Sequence, residues 1–217
     1  MSDSDDDPPQ LSLSALVALE EFLREREERR ILENCPPEKE AISQFAFEEN
    51  WQLSQFWYDD ETRRGLARGA LNSTPVDGKI ALISCPSIYC KLKTECNERQ
   101  VTLFEYDQRF EALGKDFILY DYNLPLDVPR DMFHQFDLVI ADPPFLSNEC
   151  LTKMAVTIKF LAKKNIVLCT GAVMAEQAAK LLDVKQCNFV PRHKNYLANE
   201  FCCYSNFDFD TKLEEIQ

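Results

Sequence analysis

The chain has 217 residues, of which 45% are hydrophobic, and this is enough to form the core of one compact domain. Its 24 lysines and arginines stand against 37 aspartates and glutamates, so the formal net charge is -13. Nucleic-acid affinity normally comes from lysine and arginine contacts to phosphates, which an acidic surface repels. The composition therefore makes a nucleic-acid partner unlikely and favours a basic protein surface as the partner.

The sequence predicts neither an export signal nor a metal site. The first ten residues carry four aspartates and no base, unlike an export signal, and no apolar stretch approaches the roughly eighteen residues that cross a bilayer. The nine cysteines include no Cys-x-x-Cys pair and there are only two histidines, so we predict no metal site. Reduced cysteines acting as small apolar side chains are typical of the cytosol. We expect a cytoplasmic protein with no membrane partner.

The amino-terminal part differs in character from the rest. Residues 1–10 are predicted to be a disordered acidic tail, because they contain little that can be buried. Apolar residues at helical spacing over 11–30 predict an amphipathic helix, which Pro36 and Pro37 end because proline cannot donate a helical hydrogen bond. This helical extension and linker, 11–44, precedes a domain over 45–217. The helix either lies on its own domain or docks a partner.

From residue 78 onward, β-rich apolar runs alternate with helix-like stretches. Strands are predicted at 79–84, 101–106, 117–120, 136–141, 165–170, 185–190 and 200–207, the last as an edge or penultimate strand without a binding role. Helices are predicted at 59–71, 87–98, 108–113, 149–162 and 175–182. The alternation implies an α/β fold with a mainly parallel sheet. The last two strands have no helix between them and should pair antiparallel.

Polar residues follow several of the predicted strands. Open α/β sheets bind ligands at the carboxyl ends of their strands, so these positions are the candidate site. An acidic residue after the second strand commonly binds ribose hydroxyls, and one that precedes a helix commonly caps it. Glu105 and Asp107 are the two candidates, and the sequence leaves open which one binds the ribose.

The fourth predicted strand ends in Asp142-Pro143-Pro144-Phe145, which is the most specific signal in the chain. Two successive prolines restrict the backbone and remove two N–H donors, so the loop presents carbonyl acceptors beside the Asp142 carboxylate. A donor-rich nitrogen, an amine or an amide, could bind these acceptors with the Phe145 ring packed against it. The loop therefore predicts a binding site for a nitrogen that donates hydrogen bonds.

This loop resembles that of the class I S-adenosylmethionine-dependent methyltransferases, whose amino-methylating members carry (Asp/Asn)-Pro-Pro-aromatic after the fourth strand. The chain is more closely similar to the eukaryotic lysine methyltransferase family that acts on translation elongation factor 1-alpha, formerly classed as adenine-specific DNA methyltransferases. The similarity spans roughly residues 45–207. It rests on NWQLSQFWYDDET (50–62), FEYDQRF (104–110), FILYDYNLP (117–125), DLVIADPPFLS (137–147), LCTGA (168–172) and FVPRHKNYLANEF (189–201).

The resemblance implies a Rossmann-like fold, S-adenosylmethionine as cofactor and elongation factor 1-alpha as protein substrate. It assigns the edge of the cofactor pocket to Gln55, Phe56, Trp57, Tyr58 and Thr62, and the methionine end to Ser84, Cys85, Pro86 and Ser87. It further assigns the ribose to Glu105 or Asp107, the adenine to Asp121, Tyr122 and Asn123, and methyl transfer to Asp142, Pro143, Pro144 and Phe145. The usual glycine-rich turn after the first strand is missing, so residues 84–87 must form a modified turn.

Methylation of a lysine requires its neutral amine. With an ordinary pKa of about 10.4, forming that amine at pH 7 costs about 4.6 kcal/mol. Desolvation by Phe145 and the aromatic residues 56–58 would favour the neutral form, and Asp142 would hold the arriving ammonium. No residue stands out as a general base, so we expect proton loss to water. The basic cluster Arg192-His193-Lys194 either contacts the substrate or forms a solvated turn.

Two alternative functions are compatible with the sequence. An adenine-specific nucleic-acid methyltransferase could use the same loop, but it would need a basic channel that the composition does not suggest. A catalytically inactive, cofactor-binding scaffold would have no need of the Asp-Pro-Pro-Phe loop.

Overall fold

The computed structural model of the chain describes residues 49–95, 98–195, 197 and 199–214. The predicted acidic tail and amphipathic helix lie outside the described residues. Among the helices within these ranges, none combines the length and the apolar character that crossing a bilayer would require.

A seven-stranded sheet forms the centre of the fold. Its strands are β1 (Lys79–Ile83), β2 (Gln100–Glu105), β3 (Phe117–Leu119), β4 (Phe136–Ala141), β5 (Ala162–Gly171), β6 (Lys185–Gln186) and β7 (Phe201–Ser205). Their order across the sheet is β3-β2-β1-β4-β5-β7-β6. The strands from β1 to β5 pair in parallel, whereas β7 runs antiparallel to both β5 and β6. This confirms the predicted sheet and places the seventh strand in the penultimate position.

Helices connect the strands and cover the sheet. They are α1 (Asp60–Asn72), α2 (Tyr89–Glu95), α3 (Asn148–Leu161), α4 (Ala175–Leu182) and α5 (Phe209–Glu214). Side-chain caps begin two of them: Asp59 accepts a hydrogen bond from the Thr62 N–H before α1, and Ser147 accepts one from the Cys150 N–H before α3. These caps satisfy backbone donors that have no partner inside a helix.

The core lies on both faces of the central strands. All of β1 after Lys79 is buried, and β4 is buried except at Asp137, as expected for strands covered by helices on both sides. The Phe104 ring on β2 packs edge to face against Phe136 on β4 at 5.8 Å between centroids. This rigid centre holds the carboxyl ends of β1, β2 and β4 in fixed positions.

Three predicted elements differ from the structure. The stretch predicted as a helix at 108–113 is a 3-10 segment, Gln108–Asp116, interrupted at Gly114 with φ 60°. The helix predicted at 87–98 is preceded by a 3-10 turn, Pro86–Ile88, and α2 begins after that turn. The strand predicted at 185–190 stops at Gln186, because the N–H groups of Asn188 and Phe189 donate to the Asp210 carboxylate instead of to a neighbouring strand.

Candidate active site

Two cavities open at the carboxyl edge of the parallel strands. The first has a volume of about 230 Å³ and the second about 310 Å³. They share five wall residues: Ser54, Gln55, Ser84, Pro144 and Phe145. The two spaces therefore meet along the turn after β1 and the loop after β4.

The acidic residue that ends β2 lies in the wall of the first cavity. Glu105 is buried, and its Oε1 accepts hydrogen bonds from the N–H groups of Tyr106 at 3.0 Å and Asp107 at 3.2 Å. Burial raises the pKa of Glu105 to about 7, although these two hydrogen bonds partly oppose the shift. The site thus contains a carboxylate that ionises less readily than an exposed glutamate.

Asp107, the other ribose candidate, is buried and lines neither cavity. Its Oδ1 accepts a hydrogen bond from the Arg109 N–H at 3.0 Å and caps the following 3-10 segment, while Oδ2 forms an ion pair with Arg109 at 2.6 Å. Burial would raise the pKa of Asp107, but the Arg109 contacts outweigh it and lower the pKa. Of the two candidates, the structure places Glu105 in the cavity wall and Asp107 at the cap.

The residues after β3 form the opposite wall of the first cavity. Asp121, Tyr122 and Asn123 all line it, and Asp121 accepts a hydrogen bond from the Asn123 N–H at 2.8 Å. Lys153 on α3 supports this wall from outside, because its Nζ donates to Asn123 Oδ1 at 2.9 Å and lies 5.7 Å from the Tyr122 ring centroid. The predicted adenine-binding residues are therefore together and held in place.

The turn after β1 shows how the chain replaces the missing glycines. Ser84 has φ 54°, a left-handed conformation that usually favours glycine, and it lines both cavities. Pro86 lines the second cavity, whereas Cys85 and Ser87 are buried behind the wall. The Cys85 thiol donates to the Ile140 carbonyl at 3.4 Å and so joins the turn to β4.

The Asp-Pro-Pro-Phe loop lies where the two cavities meet. Pro144 and Phe145 line both cavities, while Asp142 and Pro143 line only the second. The Asp142 N–H donates to the Ile83 carbonyl at 3.0 Å, and its Oδ2 accepts a hydrogen bond from the Tyr58 hydroxyl at 2.5 Å. Burial raises the pKa of Asp142 to about 7, and the Tyr58 hydrogen bond partly opposes this shift.

The far wall of the second cavity comes from the segment before β7. His193, Leu197, Asn199 and Phe201 line it. Of the predicted basic cluster, only His193 reaches the cavity, and Arg192 and Lys194 are exposed beside it. Phe201 is the first residue of β7 and reaches this cavity because β7 runs antiparallel and begins where β5 ends, at Gly171.

Several residues assigned by resemblance to the cofactor pocket lie behind the cavity walls. Tyr58 and Trp57 are buried, and Thr62 Oγ1 accepts a hydrogen bond from the Arg192 N–H at 2.8 Å. These residues connect the start of α1 to the loop that carries His193. The wall residues that are absent from the predicted site are Gln52, Leu53, Ser54, Tyr106, Tyr120, Leu146, Leu197, Asn199 and Phe201.

A sequence signal exists for some of the missed residues. Asn50 caps the 3-10 turn Trp51–Leu53, and this turn ends at Ser54 with φ 52°. A capping residue before a short turn could have indicated that the segment turns back over the strand ends. Leu197 and Asn199 carry no such signal. Within the ranges that the structure describes, no three histidine, cysteine or acidic side chains converge as a metal site.

The sheet order, the reversed β7 and the loop between two joined cavities define a Rossmann-like methyltransferase. A solved structure of the same fold is the branched-chain polyamine synthase of Thermus thermophilus in complex with N4-aminopropylspermidine and 5'-methylthioadenosine. It has a TM-score of 0.52 at 11% identity and covers 76% of this chain and 62% of its own. This likeness concerns the fold alone.

Sequence comparison identifies the family. The model of a family described as "Probable N6-adenine methyltransferase" matches residues 49–209. EEF1A lysine methyltransferase 1 of Homo sapiens is 53% identical over 96% of this chain and 97% of its own length. Protein-lysine N-methyltransferase EFM5 of Saccharomyces cerevisiae is 39% identical over 91% of this chain and 92% of its own. The chain belongs to this family of protein-lysine N-methyltransferases and is an enzyme.

Proposed function

We propose that this enzyme transfers a methyl group from S-adenosylmethionine to the ε-amine of a lysine in translation elongation factor 1-alpha. The observation that carries the proposal is the placement of Pro144 and Phe145 in the shared wall of two cavities. Transfer requires donor and acceptor in separate sites that meet at one point, because the reacting atoms must approach to about 3 Å.

The first cavity suits the nucleoside part of the donor. Glu105 offers a carboxylate oxygen for ribose hydroxyls, and Tyr122 and Phe145 offer aromatic surface for a purine. When bound, S-adenosylmethionine supplies an electrophilic methyl group on a sulfonium. Ser84, which lines both cavities, lies beside the proposed methionine end. The predicted roles of Gln55, Phe56, Trp57, Tyr58, Thr62, Cys85, Pro86, Ser87 and Asp107 are part of the same proposal.

The second cavity suits a lysine side chain. Phe56, Phe145, Leu146 and Phe201 offer apolar surface for its methylene groups, and Asp142 lies in the same wall as the acceptor for its charged end. Desolvation among these side chains favours the neutral amine, while Asp142 attracts the ammonium and orients it. Asp142 therefore helps the cationic lysine to enter the cavity, and desolvation then favours the neutral amine that reacts.

The names of the relatives support elongation factor 1-alpha as the substrate, and the charge of -13 supports a basic protein partner over a nucleic acid. The experiment described below distinguishes this function from the adenine-specific alternative. We also propose a cytoplasmic location, which this substrate and the buried, free thiols of Cys85, Cys169 and Cys203 support. We also propose a methyltransferase domain over 45–217 after a disordered tail (1–10) and a helical extension (11–44). The match of the family model to residues 49–209 supports the domain.

The test is incubation of the purified chain with labelled S-adenosylmethionine and either elongation factor 1-alpha or adenine-containing oligonucleotides. We expect label in the protein, which peptide mass spectrometry would locate on a lysine. Label confined to oligonucleotides would contradict the proposal and support the adenine alternative. Absence of label in both, with cofactor bound, would support a scaffold.

A further inference from the structure

His193 lies in the wall of the second cavity, together with Asp142 and Pro143. It is a half-buried histidine and therefore has contact with both the cavity and solvent. Of the chain's two histidines, the other one, His134, is exposed beside β4 at its amino end, on the opposite edge of the sheet. A single imidazole is thus available at the proposed lysine site.

The backbone around His193 is held firmly. The Asp59 N–H donates to the Arg192 carbonyl at 2.9 Å, and the Lys194 N–H donates to the Trp57 carbonyl at 2.8 Å. These bonds form an antiparallel bridge that pairs His193 with Tyr58. The segment before β7 is therefore fixed to the start of α1 at the position where the imidazole meets the cavity.

Two aromatic rings hold the imidazole itself. The Tyr58 ring packs against it at 4.8 Å between centroids, and the Phe201 ring meets it edge to face at 4.7 Å. The same Tyr58 donates its hydroxyl proton to Asp142. The positions of His193 and Asp142 are consequently coupled through one side chain, although the two residues come from different segments.

Burial of His193 favours the neutral form of its imidazole. Burial lowers the pKa of His193, and the carboxylates of Glu49 and Asp59 only partly oppose this. The other charged or titratable groups around it are Asp142 and Tyr58 at the cavity and the exposed neighbours Arg192 and Lys194; β7 contributes the uncharged Phe201. A neutral imidazole can accept a proton or a hydrogen bond.

We propose that His193 accepts a proton from the substrate lysine ammonium and passes it to solvent. This inference rests on the proposed function. An N–H bond of the ammonium breaks and an imidazole N–H bond forms, while the lysine nitrogen keeps the electron pair that attacks the methyl carbon. The imidazolium then releases its proton to water. Water remains the final acceptor, but the substrate and the aromatic walls exclude it from the amine, so the proton requires a path.

The test measures single-turnover methyl transfer as a function of pH in the full chain and in His193→Gln, which keeps a polar side chain but cannot take up a proton. We expect the variant to be slower by a factor of at least about 10 near pH 7. The deficit should shrink toward about pH 10, because the lysine then arrives neutral. A merely structural role predicts a deficit that is independent of pH.

A second measurement uses His193→Ala with added imidazole or pyrazole, which have similar size but very different basicity. Rescue by imidazole alone supports proton acceptance. Equal rescue by both compounds, rescue by neither, or a pH-independent deficit in His193→Gln would overturn the inference. The matched control is His134→Asn, which should keep the wild-type rate at every pH.

Failure of the inference differs from failure of the proposed function. If the unmodified chain methylates no lysine of elongation factor 1-alpha, the proposed function fails. If it does so, and His193→Gln matches it at every pH, only the role of His193 fails. Titration with S-adenosylhomocysteine would verify that each variant retains a folded cofactor site.

Discussion

The Tyr58 hydroxyl donates a hydrogen bond of 2.5 Å to Asp142, although the two residues are 84 positions apart in the chain. Tyr58 comes from the segment before α1, and Asp142 follows the central strand β4. The bond holds one carboxylate oxygen, and Oδ1 of Asp142 makes no hydrogen bond to any residue in the described ranges. An incoming amine would therefore meet an oriented carboxylate with one oxygen available.

We expect Asp142→Asn to reduce methyl transfer about 100-fold, because the amide cannot attract an ammonium and misplaces the amine. Cofactor affinity should change little, since Asp142 lines only the second cavity. Transfer kinetics and calorimetric titration with S-adenosylhomocysteine measure the two effects separately. A normal turnover rate in this variant would contradict the assignment of the loop.

Truncation of Phe145 should also abolish most of the transfer. Phe145→Ala removes a ring that lines both cavities and packs at 5.9 Å from the Tyr122 ring, so water would reach the amine. Phe145→Leu restores apolar bulk and should recover part of the rate. The turnover numbers of the two variants give the comparison, and equal rates would show that burial of the amine is unimportant.

We expect Tyr58→Phe to shift the acid limb of the pH–rate profile to higher pH. The hydrogen bond from Tyr58 lowers the pKa of Asp142, which burial has already raised to about 7. Its loss makes Asp142 harder to ionise, so activity should disappear at a higher pH than in the unmodified chain.

The matched control for this prediction is Tyr89→Phe, which removes a tyrosine hydroxyl bonded to Asp116 at 2.9 Å outside both cavities. Each variant should lose about 1 kcal/mol of unfolding free energy. Only Tyr58→Phe should move the pH–rate profile. If the pH–rate profile shifted equally in both variants, or shifted in neither, the proposed action of Tyr58 on Asp142 would be contradicted.

Glu105 should make the stability of the ligand-free enzyme depend on pH. Its folded pKa is raised to about 7 by burial, so the native state holds a proton that the unfolded chain releases at lower pH. The contribution of Glu105 to stability is therefore greatest below the ordinary pKa of glutamate and falls as the pH rises to about 7. Glu105→Gln should weaken this fall, as denaturant unfolding at several pH values would show.

The exposed Glu111 provides the control, because Glu111→Gln should leave the pH dependence of unfolding unchanged. Glu105→Gln should in addition weaken binding of S-adenosylhomocysteine, since an amide accepts hydrogen bonds from ribose less well than a carboxylate. Unchanged affinity in this variant would shift the ribose assignment to another residue.

Gly171→Ala should impair substrate use more than stability. A Cβ at this position would lie 2.8 Å from Leu146 Cδ1, the flexible end of a side chain that lines the second cavity. Leu146 must move, so we expect a raised KM for the protein substrate and a loss of only about 1 kcal/mol in unfolding free energy. Steady-state kinetics would measure this, and Leu146→Ala in the same background should relieve it.

Much of the fold could be predicted because the pattern of apolar residues within each segment determines whether it forms a strand or a helix. The apolar runs of β1 and β4 alternate with helix-forming stretches, and no other class of fold accommodates that alternation. The strand predicted at 185–190 failed because its backbone N–H groups bond to Asp210 on α5, a partner that periodicity does not reveal. The helix at 108–113 failed because the Asp107 cap leads into 3-10 geometry that ends at Gly114.

The hydrogen-bonding properties of the Asp-Pro-Pro-Phe loop could be predicted from the sequence, because proline geometry and carboxylate charge are properties of the residue types and do not depend on tertiary structure. The different positions of Glu105 and Asp107 could not be predicted. Both are acidic residues at the end of the same strand, and only packing decides which carboxylate lies in the cavity wall. The position of His193 could not be predicted either, because the basic run 192–194 could equally contact the substrate or form a solvated turn. Its place beside Tyr58 and Asp142 comes from contacts between segments that are far apart in the chain, and such contacts form only when the whole sheet is assembled.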